Sequence, residues 1–153
     1  MPAILLPLPH FKQSRDGMCL PACVRMILAY LGDEQPESRL AKLLRTEEFG
    51  APVFNAKYVQ KLGYSVFVGF LSKDKLERQL LQGHPVIARV WTAMLDYSID
   101  VTSHVVVVVG FDSTHVYLND PAFAAAPQKV LWDAFLAAWA EYDERSVIIT
   151  QKG

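Results

Sequence analysis

The sequence predicts an α+β fold in which helices lead into an antiparallel sheet. Three observations carry this. Apolar residues in the first half keep helical spacing between glycine stops, and the second half consists of β-branched runs broken by turn residues. The third is size: 153 residues, 52% of them hydrophobic, are enough for one domain (1–153) around one core.

Val24, Ile27, Leu28 and Leu31 recur at helical spacing, so Leu20–Leu31 reads as a buried helix. Pro21 falls in its first turn, where a missing N–H costs little, and Gly32 stops it. Glu37–Leu44 is a second helix, and Ala56–Leu62 a third, with Asn55 as N-cap and Gly63 at its end. Tyr64–Phe70 alternates as a strand does. Lys73–Gln82 is a fourth helix, capped by Ser72 and closed by Gly83.

Pro85–Val90 is a short apolar strand, followed by an irregular stretch, Trp91–Ser103, that contains Asp96, Tyr97 and Asp100. His104–Phe111 and Val116–Asn119 are β-branched runs joined by a tight Asp112–His115 connection, which reads as a hairpin. Asp120-Pro121 ends it, because proline cannot continue a ladder. A helix near Asp133–Ala140 and a strand, Ser146–Thr150, finish the chain. Trp132, Phe135, Leu136 and Trp139, at helical spacing, are core residues rather than a cofactor box.

Charge narrows the function. Fifteen Lys and Arg against sixteen Asp and Glu leave a net charge of −1, without a like-charge block. A nucleic-acid groove needs a basic face, and none is encoded. No apolar run approaches the roughly 20 residues of a membrane helix. Met1–Pro9 is apolar but has no positive n-region or small-residue cleavage site and is broken by three prolines, so it is a poor secretory signal. Cys19 and Cys23 stand four apart on one helix, a poor geometry for a disulfide. Free thiols in a reducing cytosol are the simpler reading.

A cysteine nucleophile needs a stabilised thiolate, a base within reach and donors for the oxyanion. Cys19 sits at the N-terminal edge of the first helix, where free N–H groups and the helix dipole favour the thiolate. Cys23, a turn deeper among Val24, Met26 and Ile27, reads as an inert core thiol. His104 opens the longest strand and Asp120 closes the strand that returns beside it. A three-residue turn centred on Ser113 sets Asp120 opposite Val106, a same-face diagonal neighbour of His104. A two-residue turn at Ser113–Thr114 sets it opposite Val107, on the wrong face. A pairing of His104 with Asp120 therefore requires the first register or a bulge. Taken singly, Asp120-Pro121 is also an ordinary turn signal, and His104 also fits a satisfied, half-buried histidine.

The joint order of these residues is more specific. Gln13-Ser14-Arg15-Asp16-Gly17-Met18-Cys19-Leu20-Pro21-Ala22-Cys23 resembles the start of the bacteriocin-processing, double-glycine-leader peptidases. That family has a glutamine six residues before its nucleophile and often a second cysteine four after it. His104-Val105-Val106-Val107-Val108-Val109-Gly110-Phe111 and Asn119-Asp120-Pro121-Ala122 resemble its His and Asp-Pro segments. The sixteen-residue step between them is also that of the wider papain-like superfamily. Gly83-His84-Pro85-Val86-Ile87 is similar to the turn and strand before the histidine. The resemblance spans about Phe11 to about Ile149.

The resemblance implies a papain-like cysteine peptidase fold, with the nucleophile at a helix N-terminus and the helices packed on an antiparallel sheet. It implies Cys19 as nucleophile, His104 as base, Asp120 as the group orienting the histidine, and Gln13 as an oxyanion donor beside the Cys19 backbone N–H. The implied reaction is peptide-bond hydrolysis through a Cys19 thioester on a peptide or protein substrate, such as a leader peptide. An amidase, deamidase or acyltransferase would use the same triad. A non-catalytic peptide-binding module would use the same fold, although such relatives usually lack the cysteine or histidine. Leu20 stands where the family usually has glycine, which narrows or redirects the site. No transporter portion is expected, and a separate membrane exporter is the partner the resemblance suggests.

Trp91, Asp96 and Asp100, in the loop before His104, are candidates to border the cleft, and the two carboxylates would favour a basic peptide. His10, His84 and His115 read as structural or surface residues. Cys19, Cys23 and His104 lack a zinc knuckle spacing and a fourth ligand, and no glycine-rich phosphate loop is present. No metal or cofactor is expected.

Overall fold

The computed structural model describes residues 3–153, so Met1 and Pro2, at the start of the apolar N-terminal stretch, lie outside the described residues. The elements are β1 (Ile4–Leu5), α1 (Cys19–Tyr30), α2 (Glu37–Leu43), a 3-10 segment (Val53–Leu62), β2 (Tyr64–Phe70), α3 (Lys73–Leu81) and β3 (Val86–Trp91). After a short 3-10 turn, Thr92–Met94, come β4 (Ser103–Phe111), β5 (His115–Asn119), β6 (Gln128–Leu131), α4 (Trp132–Ala140) and β7 (Arg145–Gln151). The strands form one antiparallel sheet in the order β2-β7-β3-β4-β5-β6, with β1 beside the far end of β4.

Both faces of this sheet are covered, which is why β4 reads as an unbroken valine run. Val105, Val107 and Val109 pack with Ile87 and Val147 against α1 and α2. Val106 and Val108 pack on the opposite face with Ala88, α3 and α4. There Trp132, Phe135 and Trp139 form an aromatic row with successive ring centroids 6.3 and 5.3 Å apart. Complete burial of a side chain such as Phe135 or Leu76 contributes about 1.5–3 kcal/mol.

Two expectations are corrected. Residues Val53–Leu62 form a 3-10 segment rather than an α-helix, and Asn55 does not cap it. The Asn55 side-chain amide instead donates to the Leu44 carbonyl, 2.9 Å, and ties the segment to the end of α2. Two strands were not foreseen. β1 has two residues and β6 four, too short to show a period, and each exists because a neighbouring strand leaves an edge free.

The hairpin resolves a register that the sequence left open. Its turn is the two-residue Ser113–Thr114 loop, since Phe111 faces Val116 and Gly110 faces Tyr117. Asp112 builds it by accepting from the Thr114 and His115 N–H groups and from the Tyr117 hydroxyl. Continued to its end, this register would turn Asp120 away from His104. A bulge at Val109 prevents that by shifting the ladder one residue, so that Val108 faces Leu118 and Val107 faces Asn119. The next step sets Asp120 opposite Val106, on the His104 face. The Val109 carbonyl accepts from the Leu6 N–H, 2.7 Å. Gly110 lets β1 come this close, because a Cβ there would overlap the Ile4 carbonyl.

Candidate active site

The chain enters α1 through Gly17, whose φ of 86° suits glycine. Met18 precedes the helix and provides no side-chain cap, so the first-turn N–H groups receive no partner from that side chain. One turn in, the Cys23 thiol lies 3.6 Å from the Val105 carbonyl. That contact fixes the helix against β4, and the preceding turn brings Cys19 level with His104. The Cys19 thiol and the His104 imidazole border the same cleft, near enough for the thiol to act on the imidazole.

His104 Nε2 donates to Asp120 Oδ1, 2.7 Å, which leaves Nδ1 as the ring nitrogen available to Cys19. Asp120 is fully engaged. Its Oδ1 also accepts from the Ala122 N–H at 2.9 Å, and its Oδ2 accepts from the Tyr97 hydroxyl at 2.7 Å. His104 is 9% exposed and Asp120 1%, so the pair works largely outside bulk water.

Burial pushes the imidazole pKa down, but hydrogen bonds to Asp120 and Cys19, and the charges behind them, outweigh burial and raise it from 6.5 to about 10. Burial pushes the Asp120 carboxyl up, yet the hydrogen bond and charge of His104, with the Ala122 and Tyr97 donors, hold it below the usual carboxylate range. His104 is thus cationic and Asp120 anionic near neutrality. Burial, followed by the neighbouring Cys19 and Asp120, pushes the Cys23 thiol well up. Burial and the Asp120 contact likewise keep the Tyr97 phenol protonated.

Two clefts flank His104. One, of about 560 Å³, is bordered by Cys19, His104 and Val105, by residues 49–54 at the entry to the 3-10 segment, and by Arg89 and Arg145. The other, of about 200 Å³, is bordered by His104, Asp120, Asp100 and Phe123.

The structure therefore brings Cys19, His104 and Asp120 together and distributes the other candidates around them. Gln13 lies in the loop before α1, outside the lining of either cleft. Its backbone N–H donates to the Pro121 carbonyl, 2.7 Å, which ties this loop to the residue after Asp120. Its side-chain amide donates to the Arg15 carbonyl, 2.9 Å, while its Oε1 is buried without a partner. Asp100 borders the smaller cleft, and its backbone carbonyl accepts from Thr92 and Ser98. Trp91 ends β3 opposite Ser103, and Asp96 is exposed; neither lines the two clefts.

His10 contacts the Phe123 carbonyl, His84 the Gln79 side chain and His115 the Thr114 hydroxyl, all away from Cys19. Both cysteines are free. Among the described residues, no cluster of three or more His, Cys, Asp or Glu is arranged to hold a metal. No helix among them is long and apolar enough to cross a membrane. Sequence reasoning missed the Tyr97 and Ala122 contacts, which become visible only once the loop folds over Asp120. It also missed Arg89, whose signal was present as a lone charge inside the apolar Val86–Trp91 strand.

The sequence matches the Peptidase_C39 like family over residues 5–147. The chain belongs to that family. No curated protein matches it significantly. Among solved structures, a C39-like peptidase from Bacillus anthracis superposes with a TM-score of 0.83 at 18% identity, covering 100% of both chains. A double glycine motif protease from an AMS/PCAT transporter, solved in complex with the leader peptide, gives 0.76 at 18% identity, covering 99% of each chain. The peptidase domain of Streptococcus ComA, a bifunctional ABC transporter of a quorum-sensing pathway, gives 0.72 at 17%, covering 94% of this chain and 98% of that one. These likenesses are of fold, that of the C39 peptidase domains.

Proposed function

We propose that this C39-like protein is a cysteine peptidase that hydrolyses peptide bonds through a thioester on Cys19, with leader-peptide processing as its role. The observation that carries the reading is the hydrogen-bonded His104–Asp120 pair facing, across one cleft, Cys19 at the uncapped start of α1. In this reading the imidazolium stabilises a Cys19 thiolate, which attacks the scissile carbonyl carbon. Negative charge moves to the carbonyl oxygen and is received by the Cys19 N–H and by Gln13. One N–H of the Gln13 amide is used by Arg15, and a primary amide has a second. His104 then gives its proton to the departing amine as the C–N bond breaks, leaving the thioester. His104 next takes a proton from water, whose oxygen attacks the thioester carbonyl, and the acid and free thiol are released. Asp120 keeps Nε2 protonated throughout and so holds Nδ1 toward sulfur.

The substrate is a peptide or protein, and a membrane exporter is the partner through which leader processing would be coupled to secretion. Two free cysteines support a reducing compartment such as the cytosol as its location. The test is intact-protein mass spectrometry with a panel of peptide thioesters and amides. The wild type should acquire one acyl group, mapped to Cys19, and release it to water; Cys19→Ala should acquire none, and His104→Ala should acylate at least about 10²-fold more slowly. Acylation elsewhere refutes the assignment of the nucleophile. Release only to added amines refutes hydrolysis in favour of acyl transfer.

A further inference from the structure

Two arginines face each other across the sheet beside Cys19. β3 and β7 pair with Ile87 opposite Val147 and Ala88 opposite Ser146, so the next step sets Arg89 opposite Arg145. Both residues alternate with side chains of the α1 face, Ile87 on one strand and Val147 on the other. Like charges directly opposite on one face repel and are a poor choice for stability alone. Among the described residues, no carboxylate lies within 4 Å of either guanidinium. The charged pairs within 4 Å among these residues are His104–Asp120 and His115–Asp112, although Asp143 and Glu144 adjoin Arg145 in sequence.

The two guanidinium groups are held in place by flat partners instead. Arg89 lies 4.0 Å from the Tyr142 ring centroid and Arg145 4.5 Å from that of Phe70, and Arg89 Nε donates to Ser103 Oγ at 3.1 Å. The turn that presents Tyr142 and Arg145 contains two consecutive non-glycine residues with positive φ, Asp143 at 55° and Glu144 at 60°. Backbone strain of this kind persists where the surroundings enforce it, and it gathers at functional sites. The cleft shared with Cys19 and His104 has no acidic residue in its lining, so these arginines set its charge.

We propose that Arg89 and Arg145 form a carboxylate-binding subsite that makes the enzyme selective for peptides carrying an acidic group beside the cleaved bond. This rests on Cys19 being the nucleophile. The guanidinium fork suits a carboxylate, and the aromatic stacking pre-organises both groups before the ligand arrives. The expectation of a basic peptide came from Asp96 and Asp100; the charges in the cleft beside the thiol have the opposite sign.

The test compares alkylation of Cys19 by iodoacetate and by iodoacetamide, which form the same S–CH₂ bond, expel iodide and differ in the carboxylate. The ratio of the two rates, normalised to that of glutathione, should be about tenfold higher at Cys19 in the wild type, the size of effect a close charge pair produces. Arg89→Gln and Arg145→Gln should each lower that ratio, Arg89→Lys should retain most of it, and Arg39→Gln, on the exposed side of α2, should leave it unchanged. High salt should lower it in the wild type. If Cys19 alkylates readily but the ratio equals that of glutathione and ignores both arginines, the subsite is wrong and the nucleophile stands. If Cys19 is not alkylated, the nucleophile fails. A peptide library with Glu, Gln or Lys at each flanking position, with free or amidated C-termini, then identifies the source. A Glu preference that survives amidation assigns a side-chain carboxylate, a preference for the free acid assigns the α-carboxylate, and cleavage indifferent to both overturns the proposal.

Discussion

Asp120→Asn isolates the charge of the buried pair from its shape. Asparagine keeps an Oδ1 acceptor for His104 Nε2 and the Ala122 N–H, and it meets the Tyr97 hydroxyl with an NH₂ group that the hydroxyl oxygen can accept. Three charge-assisted hydrogen bonds become neutral ones. At about 1.5–3 kcal/mol for a bond to a charged group against about 0.5–1.5 for a neutral one, the loss is about 3–5 kcal/mol. The imidazole gives a similar bound. Its rise from 6.5 to about 10 corresponds to roughly 5 kcal/mol, part of which Cys19 supplies. Urea unfolding at pH 7, with an unchanged m-value, should read this difference directly.

The pH dependence supplies a second readout with a fixed sign. The folded pKa of His104 is raised, so its contribution is complete below about pH 6.5 and is lost as pH climbs toward 10. That of Asp120 is lowered, so its contribution is present above the ordinary carboxylate range and lost as pH falls through the depressed value. The wild type should therefore lose stability between neutral and alkaline pH. Asp120→Asn should lose far less there, because burial without the carboxylate favours the neutral imidazole. An Asp120→Asn protein within about 1 kcal/mol of wild type and with the same alkaline slope would falsify the pairing argument.

Two predictions concern individual side chains. Iodoacetamide near neutral pH should label Cys19 much faster than Cys23, whose thiol is fully buried with its pKa pushed well up; peptide mapping with equal labelling contradicts this. If Gln13 serves the oxyanion, Gln13→Ala should lower kcat by about 10²–10³ with little change in KM or thiol labelling, and Gln13→Glu should be at least as damaging. A Gln13→Glu enzyme with normal turnover leaves Gln13 only its structural contacts with Arg15 and Pro121.

Much of this protein follows from local pattern. Apolar spacing in Leu20–Leu31, glycine at 32, 63 and 83, and the valine run after His104 specify helix, stop and buried strand, because each signal acts over one turn or one pleat. The order of Cys19, His104 and Asp120 was legible for the same reason: a helix start, a strand start and a strand end are positions along the chain. Their meeting in space was not legible. Both hairpin registers satisfied the local sequence, and only the Val109 bulge, with β1 bound across Gly110 and Leu6 bonded to the Val109 carbonyl, sets Asp120 on the His104 face. Tyr97 finds Asp120 across an irregular loop that has no period to read. Arg89 and Arg145 become neighbours through the pairing of β3 with β7, 56 residues apart by sequence number (145 − 89). Such pairings are chosen by the packing of both sheet faces at once, which no window of sequence contains.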